Sequence, residues 1–305
     1  DYGRSVQNSL PPKAALFIDG GDDTFYSLAF LTYAQRRRED VELHDRGGLV
    51  FPSAYGPQFR GLPKSLKEPV REAVEAPLAA QGRLFYSTLN ERLLPGFTLR
   101  TWGLLRRPVP PQAGLDAMDL WAVYPERFDE SRLAAHYRDR ALAAFYPFQR
   151  AAARAEAGDL EAAYAYLALA LLRSPDALWT APDVGYQAGL LGFRAAERRD
   201  WALAERFYRL WESCAPGQAE PVVNRGVVAE KAGRFDEARR LYERALATDP
   251  NSPRARYNLG SLDWSQGRWR QAAEHLEAAR RLRPGDPALA RFAAEASRRA
   301  GLPPR

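Results

Sequence analysis

The stretch EPVVNRGVVAEKAGRFDEARRLYERALATDPNS, residues 220–252, decides how the second half of the chain folds, because its pattern recurs with a step of 34 residues. One step apart stand Ala204, Ala238 and Ala272, then Gly192, Gly226 and Gly260, then Pro216, Pro250 and Pro284. Two further columns are large and apolar: Trp201, Phe235 and Trp269, and Tyr208, Tyr242 and Leu276. Small, bulky and helix-ending residues at fixed offsets predict two antiparallel helices per unit. Neither helix can bury its apolar stripe alone, so each pair packs against the next. Gly226 and Ala238 are small where the helices of one unit meet, and Phe235 and Tyr242 fill the space between units. Gly233 ends the first helix, since glycine takes a positive φ readily. Pro250 ends the second by excluding helical geometry at Asp249.

A period of 34 with these columns resembles the tetratricopeptide repeats. The resemblance implies an all-α solenoid over residues 144–305, with four repeats and a capping helix from Pro287 to Ala300. The first copy, Ala144 to Asp176, is degenerate but keeps Gly158, Leu160, Ala163, Leu167, Ala170 and Pro175 in their columns. From Pro175 to Pro216 is 41 residues, so seven are inserted, within DALWTAPDV. In such repeats positions two, five, six, nine and twelve of each first helix line a concave groove. Here these are Tyr186, Gly189, Leu190, Phe193 and Ala196; Glu220, Val223, Asn224, Val227 and Glu230; and Arg254, Tyr257, Asn258, Ser261 and Trp264. The expected occupant is a protein or peptide. Asn224 and Asn258 stand one period apart, and an amide offers both a donor and an acceptor, which suits capture of an extended backbone. Two solvated helix residues or local caps are the alternative.

Composition narrows the remaining classes. At 305 residues the chain has room for two domains. The net charge of +6 raises nucleic acid as a partner, but there are only four lysines, and the arginines interleave with glutamate and aspartate. Interleaving of that kind reads as a solvated, ion-paired helix face, so no nucleic acid is expected. Cys214 is alone, which excludes a disulfide within the chain and reads as a small buried residue. His44, His136 and His275 are scattered without metal-ligand spacing, and no nucleophile–base arrangement is apparent. No catalytic residue, metal or cofactor is therefore expected. The longest apolar run, AAYAYLALALL from Ala162 to Leu172, is about half the length that spans a bilayer. With no signal peptide and no initiator methionine before Asp1, the chain is expected to be a fragment or a processed product.

Residues 1–112 read as a small Rossmann-like α/β domain, and 113–143 as a connector with a lead-in helix. Ala14 to Ile18 is a short apolar run that suits a buried strand. A helical pattern follows, then a second strand at Val41 to Leu43, which makes the pair parallel. Lys64 to Gln81 is helical in composition, with Pro69 and Pro77 expected to kink or delimit it. Leu84 to Tyr86 is a third strand and Phe97 to Leu105 a fourth, antiparallel at the edge; Pro108, Pro110 and Pro111 then close the domain. The first strand leads into a turn, Asp19, Gly20, Gly21, Asp22, Asp23 and Thr24, that is the candidate ligand site here. Its glycines let the backbone approach a ligand, and a helix N-terminus attracts anions. Asp22 and Asp23 oppose a bare phosphate, so a metal-bridged phosphate or a sugar hydroxyl fits better. The alternative is a tight turn with a helix cap.

A second resemblance covers roughly the first 110 residues. It is carried by Tyr2-Gly3-Arg4, by Gly20 with Asp23, Thr24 and Phe25, by Arg38 with Asp40 and Val41, and by RLFYST and LPGFTLRTWGLL. These are similar to the soluble C-terminal region of a family of polytopic membrane proteins related to protein O-mannosyltransferases. The chain departs from that family at Gly21 and Asp22, where the family has aspartate and asparagine. The resemblance implies a membrane-anchored, glycosyltransferase-like parent, joined to the membrane through a portion N-terminal to Asp1. It places the chain on the extracytoplasmic (periplasmic) face, with a cytoplasmic location as the alternative, and puts the catalytic acid in the membrane-embedded part. Three functions stay open: a protein-interaction region of such a parent, a sugar-phosphate or acceptor site in its α/β domain, or a free-standing adaptor.

Overall fold

The structure, a computed structural model, describes residues 2–19, 22–47, 53–88, 93–114, 120–124, 137–175 and 179–302, with backbone alone at 22–24, 122–123 and 137–138. It forms two compact units, Asp1–Ser174 and Pro175–Arg305.

The first unit is built on a five-stranded sheet of order β2-β1-β3-β5-β4. Its strands are β1 (Ala15–Ile18), β2 (Glu42–Asp45), β3 (Leu84–Ser87), β4 (Thr98–Trp102) and β5 (Leu105–Val109). β1 runs parallel to β2 on one side and to β3 on the other. Every residue of β1 and β3 is buried, as central parallel strands covered on both faces require. The order 2-1-3 differs from the 3-2-1 of a dinucleotide-binding half, so the domain expected to be Rossmann-like is a small mixed sheet. The expected fourth strand is the edge strand β4. The proline run, read as the end of the domain, instead contributes β5, which lies between β3 and β4. Pro108 is tolerated there because β3 pairs with β5 only at Tyr86 and Arg106, leaving Pro108 outside that ladder.

The helices of this unit are α1 (Tyr2–Ser9), α2 (Asp22–Ala29, continued by a π-helical turn at Phe30–Ala34), α3 (Lys64–Ala80), α4 (Tyr137–Glu156) and α5 (Leu160–Arg173). α3 runs unbroken across Pro69 and Pro77, so the prolines do not delimit it. No element was expected in residues 1–12, yet α1 is there, with Tyr2 and Val6 in the core. Arg38 secures it: its guanidinium donates to the carbonyls of Gln7 at 2.6 Å, Leu10 at 2.9 Å and Pro11 at 3.1 Å. Asp40 in turn holds Arg38 at 2.8 Å, and that contact keeps the Asp40 carboxyl down at about 2. The arginine and aspartate of the first-domain motif thus have a structural task. The stretch expected to be a degenerate first repeat forms the α4–α5 hairpin, which falls within the first unit and packs on its sheet. Tyr146 donates to Ser5 at 3.1 Å, and Glu156 accepts from the Thr101 N–H at 3.1 Å and from Arg106 at 3.2 Å.

The second unit contains three hairpins and a closing helix: α6 (Thr180–Glu197) with α7 (Trp201–Cys214), α8 (Glu220–Lys231) with α9 (Phe235–Thr248), α10 (Pro253–Ser265) with α11 (Trp269–Leu282), and α12 (Pro287–Arg299). α6 has 18 residues where α8 has 12 and α10 has 13, so the insertion is absorbed as extra helix at the start of α6. Short polar side chains cap the starts of α7, α10 and α12. Asp200 accepts from the Leu203 N–H at 3.1 Å, and Asp286 from the Leu289 N–H at 3.0 Å. Buried Ala238, Leu241, Tyr242 and Ala245 pack with Val222, Ala255, Leu259 and Leu262, which joins the α8–α9 pair to α10.

Candidate functional site

A groove of about 770 Å³ opens in the second unit, walled by α6, α7, α8 and the start of α10. Tyr186, Leu190 and Phe193 lie at i, i+4 and i+7 on α6 and so share one face. They are 57%, 40% and 60% exposed, although all three are large and apolar. Gly185 and Gly189 form the floor, where a Cβ would come within 3.3 Å of Trp211 in each case. α7 adds Trp201, Tyr208, Trp211 and Cys214. Burial pushes the Cys214 thiol up to about 11, which leaves it a neutral wall group. Burial also pushes Tyr208 up to about 12, with Arg254 opposing part of that rise. Across the groove Asn224 and Val227 of α8 face inward, and Arg254 is the one charged residue among the lining groups.

Of the fifteen positions expected to face inward, Tyr186, Gly189, Leu190, Phe193, Ala196, Asn224, Val227 and Arg254 do line this groove. The others are placed elsewhere. Val223 is 1% exposed and belongs to the core between α8 and α10. Glu230 accepts from the Tyr242 hydroxyl at 2.9 Å. Tyr257 and Trp264 pack edge-on against Phe292 of α12, with centroids 6.2 and 5.2 Å apart. The closing helix therefore occupies the aromatic positions of the last repeat. Asn258 has a buried Nδ2 without a hydrogen-bond partner, and neither it nor Ser261 joins the lining, so Asn224 and Asn258 do not form one ladder in this groove. Among the lining residues not foreseen are the second-helix aromatics Trp201, Tyr208 and Trp211 and the α6 extension, Ala181 and Pro182. The seven-residue insertion was the available signal for the latter.

In the first unit, Asp19 follows β1 and Thr88 follows β3, at the carboxyl edge where connections leave β1 and β3 in opposite directions. Such a switch point is where open α/β sheets bind ligands. Thr88 donates to Asp19 Oδ2 at 3.2 Å, and Arg46, just beyond β2, reaches the same oxygen at 3.4 Å. Behind them Glu75 of α3 is fully buried. It accepts from Arg46 Nε at 3.0 Å and from the hydroxyls of Tyr55 and Tyr86 at 2.5 Å each. Burial works against the Arg46 charge, but Glu75 more than offsets it and holds the guanidinium protonated above its ordinary range. Burial, with Glu75 adding to it, holds both phenols neutral well above theirs. Asp22, Asp23 and Thr24 form the first turn of α2; Gly20 and Gly21, and the expected cap by the Asp22–Thr24 side chains, lie outside the described residues.

Two of the three histidines have partners in the structure. His44 stacks on Phe17 at 4.7 Å and faces Glu42 at 3.3 Å. His275 stands 3.7 Å from the buried carboxylate of Asp263. His136 is outside the described residues. Among the described residues no three His, Cys, Asp or Glu side chains gather in a way that could hold a metal ion, and no helix is long and apolar enough to cross a membrane.

Residues 229–296 match the family model described as tetratricopeptide repeat. The match runs from the end of α8 into α12, over the stretch that holds Ala238, Ala272 and Gly260 of the repeat columns. A search of curated proteins finds none that matches the sequence. Among solved structures, the TPR2B-domain:pHsp70-complex of yeast Sti1 is 27% identical with a TM-score of 0.35, over 37% of this chain and 96% of that one. MamA is 19% identical with a TM-score of 0.40, over 50% and 85% of the two chains. The type III secretion chaperone SycD of Yersinia enterocolitica, in complex with a peptide of the translocator YopD, is 17% identical with a TM-score of 0.35, over 39% and 91%.

Proposed function

We propose that the second unit is a peptide-binding module whose site is the groove between α6, α7 and α8. The observation that carries this reading is the row Tyr186–Leu190–Phe193, large apolar side chains left open to solvent along a groove of about 770 Å³. A volume of that order takes several side chains of an extended segment. The aromatic wall contributes apolar contact area, and Asn224 supplies a donor and an acceptor for a backbone amide. The test is selection from a random peptide library against the full chain, followed by titration of the winners on tryptophan fluorescence. Trp201 and Trp211 line the groove, so a bound peptide is expected to shift their emission, and Leu190→Glu is expected to weaken binding at least tenfold. Failure to enrich any peptide, or equal binding by Leu190→Glu, overturns the reading.

A second reading concerns the first unit. Asp19 sits at the switch point with Oδ2 held by Arg46 and Thr88, which supports a role in holding a sugar-phosphate or acceptor group for a membrane-anchored, glycosyltransferase-like parent. Mannose 1-phosphate with Mg²⁺ is expected to raise the melting temperature of the chain, and Asp19→Ala to abolish the rise. No shift in the parent chain would remove this reading without touching the first.

A further inference from the structure

The helix α2 with its π-helical continuation is apolar on two faces. One face is core: Leu28 is fully buried, and Phe25 and Leu31 nearly so. The other carries Tyr26, Phe30 and Tyr33, again at i, i+4 and i+7, and these are 62%, 57% and 60% exposed. A surface helix ordinarily turns one apolar stripe to the core and a polar face to water. At the end of this stripe come Arg36 and Arg37, both exposed, and neither takes part in an ion pair among the described residues. Arg38 beside them is spoken for by Asp40 and the α1 carbonyls, and Glu39 is the neighbouring acid. The stripe is thus aromatic along its length, with Arg36 and Arg37 next after it in the chain and Asp22 and Asp23 in the turn that begins the helix.

From this we infer that the Tyr26–Phe30–Tyr33 face docks on an anionic lipid surface, with the rings entering the headgroup layer and Arg36 and Arg37 meeting lipid phosphates. The area selects this occupant. Three aromatic side chains about 60% exposed present on the order of 350 Å², the size of an ordinary monomer's largest apolar patch and well short of the roughly 800 Å² that each partner buries in a stable protein complex. An interfacial contact needs no such area, because amphipathic rings are favoured at headgroup depth and each nearby arginine adds electrostatic attraction. Tyr26 and Tyr33 suit that layer, where one end of the ring is apolar and the other wet.

The experiment is co-sedimentation of the full chain with phosphatidylcholine vesicles, with and without about one third phosphatidylglycerol, at low and high salt. Binding is expected only with the anionic lipid and is expected to fall with salt. The triple variant Tyr26→Ser, Phe30→Ser, Tyr33→Ser keeps the net charge and leaves Leu28, Phe25 and Leu31 of the core face in place; its partition coefficient is expected to drop at least tenfold. Arg36→Gln with Arg37→Gln is expected to lose about fivefold per arginine. Unchanged binding by the triple variant reduces the effect to general attraction of a +6 chain and overturns the inference. So does a dimer in sedimentation that the triple variant abolishes, since the face would then join two copies. Circular dichroism on each variant shows that it is folded.

Discussion

A Cβ placed on Gly192 would stand 2.7 Å from Cε1 of Tyr208, closer than real side chains approach. The same relationship recurs one period on, between Gly226 and Tyr242, and two periods on, between Gly260 and Leu276, where the Cβ would lie 2.8 Å from Cγ. The glycine column is therefore set by the bulk of the facing column, and the two are read as one constraint. Gly226→Ala gains about 1 kcal/mol of helix propensity. It must also displace the Tyr242 ring, which is fully buried and hydrogen-bonded to Glu230, and overpacking of that kind costs about 1–3 kcal/mol. Net destabilisation is expected in urea denaturation. Gly285→Ala, which meets nothing within 4 Å, is the control and is expected to be nearly neutral.

The first helix of each pair ends at a residue with positive φ. Gly233 and Gly267 hold this position at 76° and 68°, as glycine does without strain. In the α6–α7 pair the position is Arg199, at 60°. An L side chain pays for that conformation with roughly 1 kcal/mol that glycine avoids. Arg199→Gly is therefore expected to stabilise the second unit by about 0.5–1 kcal/mol, read as a higher urea midpoint with an unchanged slope. An unaltered or lower midpoint would show that the arginine side chain contributes more than its backbone costs.

These two cases also show why the solenoid was legible in the sequence and the sites only partly so. Gly226, Tyr242 and Gly233 each answer a local demand that repeats every 34 residues, so the demand appears as a column. Which inward positions stay open is a tertiary matter. Tyr257 and Trp264 obey the same spacing as Tyr186 and Phe193, but both rings pack edge-on against Phe292 of α12. Trp211 enters the groove only because Gly185 and Gly189 uncover it. In the first unit Asp19 stands beside a glycine-rich turn and is noticeable. Glu75 lies in a charged helical stretch that reads as solvated, and nothing in its spacing announces that two tyrosines and an arginine enclose it.

That enclosure sets a third expectation. Arg46 and Glu75 side chains are 3% and 0% exposed, so removing one partner leaves a buried charge uncompensated. Glu75→Gln is expected to destabilise the first unit by roughly 3–5 kcal/mol. Replacing both, Arg46→Met with Glu75→Met, is expected to recover most of that loss, since a buried pair exchanged for apolar groups of similar volume is often near neutral. Circular dichroism during urea denaturation measures both. A double variant no better than Glu75→Gln would mean that the bonds from Tyr55 and Tyr86 to the carboxylate, rather than the charge pairing, hold this region.

The last expectation concerns acid. Burial lowers the pKa of His275 below its ordinary 6.5; Asp263 opposes this, while Arg256 and Arg239 reinforce it and Glu274 opposes it weakly. Asp263 is engaged mainly by Arg239 and Arg268, so its carboxylate is shared and does not rescue the imidazolium. With the folded pKa depressed, the unfolded chain binds the proton first. The stabilising effect of a neutral, packed His275 is thus complete above about pH 6.5 and declines as the pH falls below it, by at most about 1.4 kcal/mol per pH unit. Urea midpoints measured between pH 7.5 and about 5 should fall for the parent chain and fall less for His275→Gln, which has no proton to gain in that window. If the parent and the variant lose stability in parallel, the proton is taken up elsewhere, and His275 binds its proton alike in the folded and the unfolded chain.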